Sequence, residues 1–137
     1  MSRPILLDTC ALLWLGNDEK LLGSAGAALQ EMEADADGIA ASPISAWEIG
    51  QLVSRGRLRL SIDPLKWFYR NLDRGMALAP LTPSILVASS VLPAADLRDP
   101  ADRILAATAR ELGYRLMTRD KPLLTFAANG HMQAIAC

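Results

Sequence analysis

The chain has one histidine, two cysteines, a net charge of only −1 and little that marks a specialised class. Cys10 and Cys137 supply neither a disulfide framework nor a C-x-x-C metal knuckle. They are expected as a small buried thiol beside the first strand and a terminal thiol of little consequence, in a reducing cytoplasm. The single histidine, His131, follows Gly130 near the C-terminus and is expected at the surface, so the chemistry should need no histidine base. No segment approaches the roughly 18–20 uninterrupted apolar residues that cross a bilayer. Met1-Ser2-Arg3-Pro4 runs straight into the first apolar run, which leaves no expected room for a signal peptide. With 14 basic and 15 acidic residues, charge alone neither supports nor excludes a nucleic-acid partner. Were four acids committed to a metal, the remaining surface would be mildly basic.

What is present fits one compact domain over residues 1–137, since 137 residues at 51% hydrophobic can bury a sizeable core. Short apolar runs alternate with helical patterns. Strands are expected at Ile5–Asp8, Gly38–Ala41, Met76–Leu81, Tyr114–Thr118 and Met132–Ala136. Helical signals fill the intervals: a turn from Cys10 to Leu15, then Gly23–Glu33, and a helix capped by Ser42-Pro43 that stops near Gly56. A helix opened by Asp63-Pro64 carries Trp67, Phe68 and Leu72 on one face, and Thr82-Pro83 starts the next. Asp99-Pro100 caps Ala101–Leu112, which Gly113 ends, and Lys121–Phe126 is short. With no hairpin dipeptide joining one strand to the next, this is α/β: a central, mainly parallel sheet flanked by helices in an α/β/α sandwich. No repeat, linker or low-complexity tract interrupts it.

Four acids stand apart. Asp8 ends the first strand in Pro4-Ile5-Leu6-Leu7-Asp8-Thr9, where a core would prefer Val or Leu. Glu48 lies in Ser45-Ala46-Trp47-Glu48-Ile49-Gly50, on a helix that otherwise buries apolar residues. Asp102 opens a tightly packed helix in Asp99-Pro100-Ala101-Asp102-Arg103-Ile104-Leu105, and Asp120 follows the fourth strand in Thr118-Arg119-Asp120. Each has an ordinary explanation as a helix-terminus acid favoured by the dipole. Glu31, Glu33, Asp35 and Asp37 differ, clustering in a solvated polar stretch. In an open α/β sheet, ligands sit beyond the carboxyl ends of the strands where strand order reverses. Adjacent first and fourth strands would therefore project Asp8 and Asp120 from one edge. Converging carboxylates repel, and the natural neutraliser is a divalent cation held by oxygen ligands, Mg²⁺ or alternatively Mn²⁺. That makes metal-dependent phosphodiester hydrolysis the leading reading, with Asp8, Glu48, Asp102 and Asp120 as ligands and catalytic groups. Such a cation would polarise the scissile phosphate and acidify a water for in-line attack, leaving a 5′-phosphate and a 3′-hydroxyl.

Leu6-Leu7-Asp8-Thr9 with Ala11-Leu12-Leu13-Trp14, Ser45-Ala46-Trp47-Glu48-Ile49, Gly56-Arg57-Leu58-Arg59-Leu60, Asp99-Pro100-Ala101-Asp102-Arg103 and Thr118-Arg119-Asp120 together resemble a PIN domain. More narrowly, they resemble the VapC toxins of bacterial toxin–antitoxin pairs, nearly end to end and in order. The resemblance implies a metal-dependent endoribonuclease whose acids are Asp8, Glu48, Asp102 and Asp120. It also implies a cognate antitoxin that blocks the site and a homodimer, within a larger toxin–antitoxin complex. Relatives of this type often carry His at the place of Cys10, His shortly before the Asp-Pro pair and Phe at the place of Ala101. Here Ala94-Ala95-Asp96-Leu97-Arg98 makes a different approach to that pair, with the acids intact.

Around the acids, Asp99 is a helix cap or else orients a water at the cation. Thr9 and Thr118 are strand-end threonines, or donate hydroxyls to carboxylates or phosphate. Arg55 and Arg57, in Arg55-Gly56-Arg57-Leu58-Arg59, are candidate RNA contacts, as are Arg103, Arg119 and Lys121 beside the acids. Solvated turns and ion pairs are the alternatives. Trp47 and Trp67-Phe68-Tyr69 are expected as core or dimer surface rather than base-stacking platforms. Two rival functions remain. A catalytically silent, partner-binding PIN-like module should have lost a ligand acid, and none is lost. An aspartyl-phosphate phosphatase wants a second Asp at position 10, where Cys10 stands, and a Lys before the last acid.

Overall fold

The computed structural model describes residues 2–21, 23–93 and 96–137. Its five strands are β1 (Ile5–Leu7), β2 (Ile39–Ala41), β3 (Ala77–Leu78), β4 (Arg115–Thr118) and β5 (Gln133–Ala136). They pair in the order β3-β2-β1-β4-β5, every neighbour parallel. Seven helices connect and flank them among the described residues: α1 (Thr9–Gly16), α2 (Gly23–Met32), α3 (Pro43–Ser54), α4 (Pro64–Leu72), α5 (Pro83–Ser90), α6 (Pro100–Leu112) and α7 (Lys121–Ala128).

The central strands are apolar throughout because both faces are covered. Side chains alternate across the pleat. Ile5, Leu7, Ile39, Ala41 and Met117 therefore join Leu12, Leu29, Met32, Trp67 and Phe68 on one side. Leu6, Ala40 and Leu116 join Leu105, Ala106, Leu123 and Phe126 on the other. On the first side, Gly16 permits a close approach: a Cβ there would lie 2.4 Å from Cζ2 of Trp67.

Three sequence expectations change. Asp8 is not the last residue of β1 but the N-cap of α1, with φ −73° and ψ 173°. The strand expected over Met76–Leu81 shrinks to two residues at the sheet edge. Ala79 still donates to the Ala41 carbonyl at 2.8 Å, and Pro80, with no N–H, can add nothing to the ladder. The last short helix runs on to Ala128. Of the unusual approach to Asp99, Ala94 and Ala95 lie outside the described residues. No described helix is long and apolar enough to cross a membrane.

Candidate metal and active site

The chain runs β1, β2, β3 to one side of the centre and then returns to place β4 on the other flank of β1. The order reverses between β1 and β4, and there the sequence puts Asp8 and Asp120. The register is carried past the strands by Asp8 N–H donating to the Met117 carbonyl at 3.0 Å.

Three of the acids are N-caps. Asp8 Oδ1 accepts from the Ala11 N–H at 2.7 Å. Asp99 Oδ2 accepts from the Asp102 N–H at 2.9 Å, and Asp120 Oδ2 accepts from the Leu123 N–H at 3.3 Å. Helices α1, α6 and α7 thus all start at one place, and α3 adds Glu48 from its second turn. Asp8, Glu48, Asp99, Asp102 and Asp120 meet around a cavity of about 230 Å³, joined by Thr9 and Cys10. The cap reading and the convergent reading are both true of Asp8, Asp99 and Asp120.

Hydroxyls orient the acids. Thr118, fully buried, donates to Asp8 Oδ2 at 2.6 Å and accepts from the Asp120 N–H at 3.0 Å, so one side chain ties the two strand ends together. Thr9 donates to Glu48 Oε1, and its hydroxyl also bonds Ser45 Oγ at 2.9 Å. Ser45, likewise fully buried, was missed by sequence reasoning. Its signal was its place three residues before Glu48, on the same helix face.

Among the described residues, the cavity is lined by five carboxylates and no Lys or Arg. Burial raises the Asp8 carboxyl above its usual range and the Asp120 charge adds to this, against the hydrogen bonds from Thr118 and Ala11 and the charge of Arg119. Burial also raises Glu48, opposed by the Thr9 hydrogen bond and reinforced by the charges of Asp99 and Asp8. Asp102 rises to about 7, first from loss of hydration and then from Asp99, Asp120, Glu48 and Asp8. An acid-rich pocket whose charged donors are all carboxylate oxygens suits a hard divalent cation. Among the described residues, no group of three or more His, Cys, Asp or Glu side chains is placed to hold a metal ion as it stands. Divalent cations of this kind take oxygen donors and keep part of their own water shell. The donor set therefore fits the cation.

The remaining candidates divide. Arg55 and Arg57 are exposed and line a neighbouring groove with Trp47, Gln51 and Leu52. Arg103 instead donates to the carbonyls of Ser89 at 2.8 Å and Leu97 at 2.6 Å, binding the end of α5 and the loop before Asp99 to α6. Arg119 donates to the Cys137 carbonyl at 2.9 Å and lies 3.4 Å from the centre of the Trp14 ring. Lys121 lines a separate cavity with Pro122 and Phe126.

Cys10, expected as a buried thiol, is exposed at the cavity, and the terminal Cys137 is buried. Cys10 leaves β1 on the first turn of α1, whereas Cys137 is drawn under the sheet edge as its N–H donates to the Thr118 carbonyl at 3.2 Å. Lost hydration and the carboxylates around it push the Cys10 thiol up to about 11, so it stays protonated. His131 is half-buried, its ring 4.9 Å from that of Phe126, rather than simply at the surface. Trp67 and Phe68 are core and Tyr69 is exposed, while Trp47 is 56% exposed and belongs to no core.

An all-parallel sheet with carboxylates gathered at its switch point defines the class: an α/β protein with an acid-rich site beyond the carboxyl ends of its strands. Residues 5–128 match the PIN domain family, and the chain belongs to that family. It is 34% identical over 120 residues to Ribonuclease VapC22 of Mycobacterium tuberculosis, covering 87% of this chain and 88% of that protein. The fold is similar to that of VapBC2 from Rickettsia felis bound to a promoter DNA fragment, with a TM-score of 0.65, 13% identity and coverage of 96% and 97%. A second likeness is to DNA-bound VapBC from Salmonella typhimurium, with a TM-score of 0.61, 11% identity and 98% of each chain covered.

Proposed function

We propose that this chain, a single PIN domain over residues 1–137, is the endoribonuclease toxin of a toxin–antitoxin pair. It acts in the cytoplasm on RNA phosphodiester bonds, with Mg²⁺, or alternatively Mn²⁺, held by Asp8, Glu48, Asp102 and Asp120. The observation that carries this is the meeting of five carboxylates in one cavity with no cationic side chain among its described lining residues. A relative 34% identical is named a ribonuclease, and the similar VapBC structures motivate a cognate antitoxin as partner. A homodimer within that complex completes the reading.

Each residue then has a task. Asp8 presents an oxygen fixed by Thr118 and the Ala11 amide. Glu48 is held toward the cavity by Thr9, itself held by Ser45. Asp102, at about 7, carries a proton near neutrality that it must release before it can ligate. Asp99 caps α6 and, as a lining residue, orients water at the cavity rim. A bound divalent cation would supply Lewis-acid charge to the phosphate and acidify the attacking water. In-line attack on phosphorus with the 3′-oxygen as leaving group, which takes up a proton, gives a 5′-phosphate and a 3′-hydroxyl. Arg55 and Arg57 are placed to hold the RNA backbone.

The test is cleavage of an RNA pool by purified, antitoxin-free protein in Mg²⁺ or in EDTA, beside Asp8→Asn. Cleavage that needs the metal and disappears in the variant is expected. No cleavage in any RNA or metal would favour the silent partner-binding module. The phosphatase reading is weakened by Cys10, which lines the cavity where that chemistry needs a second Asp.

A further inference from the structure

Of the three tryptophans, two are accounted for. Trp67 is buried in the core, and Trp14 lies beneath Arg119. Trp47 is 56% exposed and, among the described residues, has neither an aromatic nor a cationic neighbour on its ring. It sits on α3 one residue before Glu48 and borders a groove of about 370 Å³. That volume is in the range of small-ligand clefts.

Two features say what the groove holds. It opens directly into the carboxylate cavity, for Thr9, Cys10, Glu48 and Asp99 line both. Its far end carries Arg55 and Arg57, and neither makes an ion pair among the described residues. The helix period explains the layout. Residues 47, 48, 51, 52 and 55 fall on one stripe of α3, which climbs about 10 Å from Glu48 to Arg55. Gly56, at φ 70°, then turns the chain, and Arg57 N–H donates back to the Leu52 carbonyl at 2.9 Å, returning Arg57 to the same groove. A polyanion whose phosphate sits at the acids thus has an exposed indole beside it and, further along α3, the Gln51 amide and two guanidiniums.

We infer that this groove is the subsite for the nucleotide flanking the scissile phosphate: Trp47 stacks on its base, and Arg55 and Arg57 hold the backbone beyond it. The inference rests on the ribonuclease reading and adds a specificity-determining residue to it. Stacking on an indole accepts any base. Gln51, one turn from Trp47, offers a donor and an acceptor to the base edge and can favour one.

The experiment measures the Kd of short single-stranded oligo-A, oligo-U, oligo-C and oligo-G for the Asp8→Asn protein in Mg²⁺, following tryptophan fluorescence. It adds kcat and KM for RNA cleavage in the otherwise unaltered chain. Trp47→Ala should weaken binding about 5- to 100-fold and abolish the quenching. Trp47→Phe should recover most of the affinity, and the loss should fall on KM rather than kcat. Arg55→Ala and Arg57→Ala should each reduce the salt slope by about 0.7. A Kd and quenching unchanged in Trp47→Ala, in a protein that still cleaves RNA, overturns the subsite and leaves the nuclease standing; the groove then faces a protein. A parent protein that neither binds nor cleaves RNA overturns both.

Discussion

Replacing Asp102 by Asn should stabilise the metal-free protein while removing its activity. In the fold, the Asp102 carboxyl rises from 3.8 to about 7 because its charged form loses hydration and faces four other carboxylates. At face value that rise corresponds to about 4 kcal/mol against the ionised form. Solvent reaching this half-buried side chain screens it to ~1–2 kcal/mol. Loss of a first-turn acid from α6 costs up to ~0.5 kcal/mol in dipole interaction, leaving a net gain of ~1 kcal/mol. For a domain of this size, that raises Tm by roughly 2–6 °C. The sign with pH follows from a folded value above the unfolded one. Wild-type stability from this group is complete below the unfolded value of 3.8 and is lost as pH rises through about 7. The advantage of Asp102→Asn should therefore be largest near pH 8 and shrink steadily toward about pH 4.5. Thermal unfolding in EDTA across that range is the assay. Saturating Mg²⁺ should invert the order, since a ligand at a hundred times its Kd adds about 2.7 kcal/mol to the protein that binds it. A variant no more stable than wild type at pH 8, or equally favoured at every pH, would refute the account of the pocket as a reservoir of unneutralised charge.

Three other predictions follow from single contacts. Thr118→Val keeps the shape but leaves Asp8 Oδ2 and the Asp120 N–H without their shared partner, at a cost of ~2–3 kcal/mol in urea unfolding that Thr118→Ser should largely restore. An unchanged midpoint would mean the hydroxyl ties nothing together. Gly16→Ala places a methyl 2.4 Å from Trp67 and should cost ~1–3 kcal/mol, with a red-shifted Trp emission as the core opens; emission and midpoint like wild type would count against the tight packing of α1 on α4. Calorimetric Mg²⁺ affinity should weaken by about tenfold per pH unit below about 7, with protons released on binding, because Asp102 must deprotonate to ligate. A pH-independent affinity between about 5 and 8 would exclude Asp102 from the ligand set.

Local chemistry was legible in the amino-acid order. Asp-Pro and Ser-Pro pairs at residues 42–43, 63–64 and 99–100 cap their helices, and Gly113, at φ 75°, ends α6. These signals depend on neighbours within a turn, so sequence suffices. The apolar runs likewise determined a two-sided parallel sheet, because only covered strands can be apolar on both faces. Asp8 was visible as a carboxylate at the end of such a run. Its role as an N-cap was harder to see, because a strand end and a helix start meet at one residue.

Only the tertiary structure decided what faces what. Asp8 and Thr118 are 110 positions apart, and nothing local says that the hydroxyl of one holds the carboxylate of the other. Trp47 and Trp67 read alike as large apolar residues on helices, yet one is exposed at a groove and the other packs under α1. Arg103 and Arg119 flank the acids in sequence, but backbone carbonyls and the Trp14 ring take up their guanidiniums. Cys10, expected buried, is exposed for the same reason. Burial depends on which distant segment covers a residue, and that is set by strand order, not by the residue's neighbours in the chain. The sequence by itself determined which acids, helices and strands there would be; the crossing of the chain from β3 to β4 decided that the acids would share one cavity.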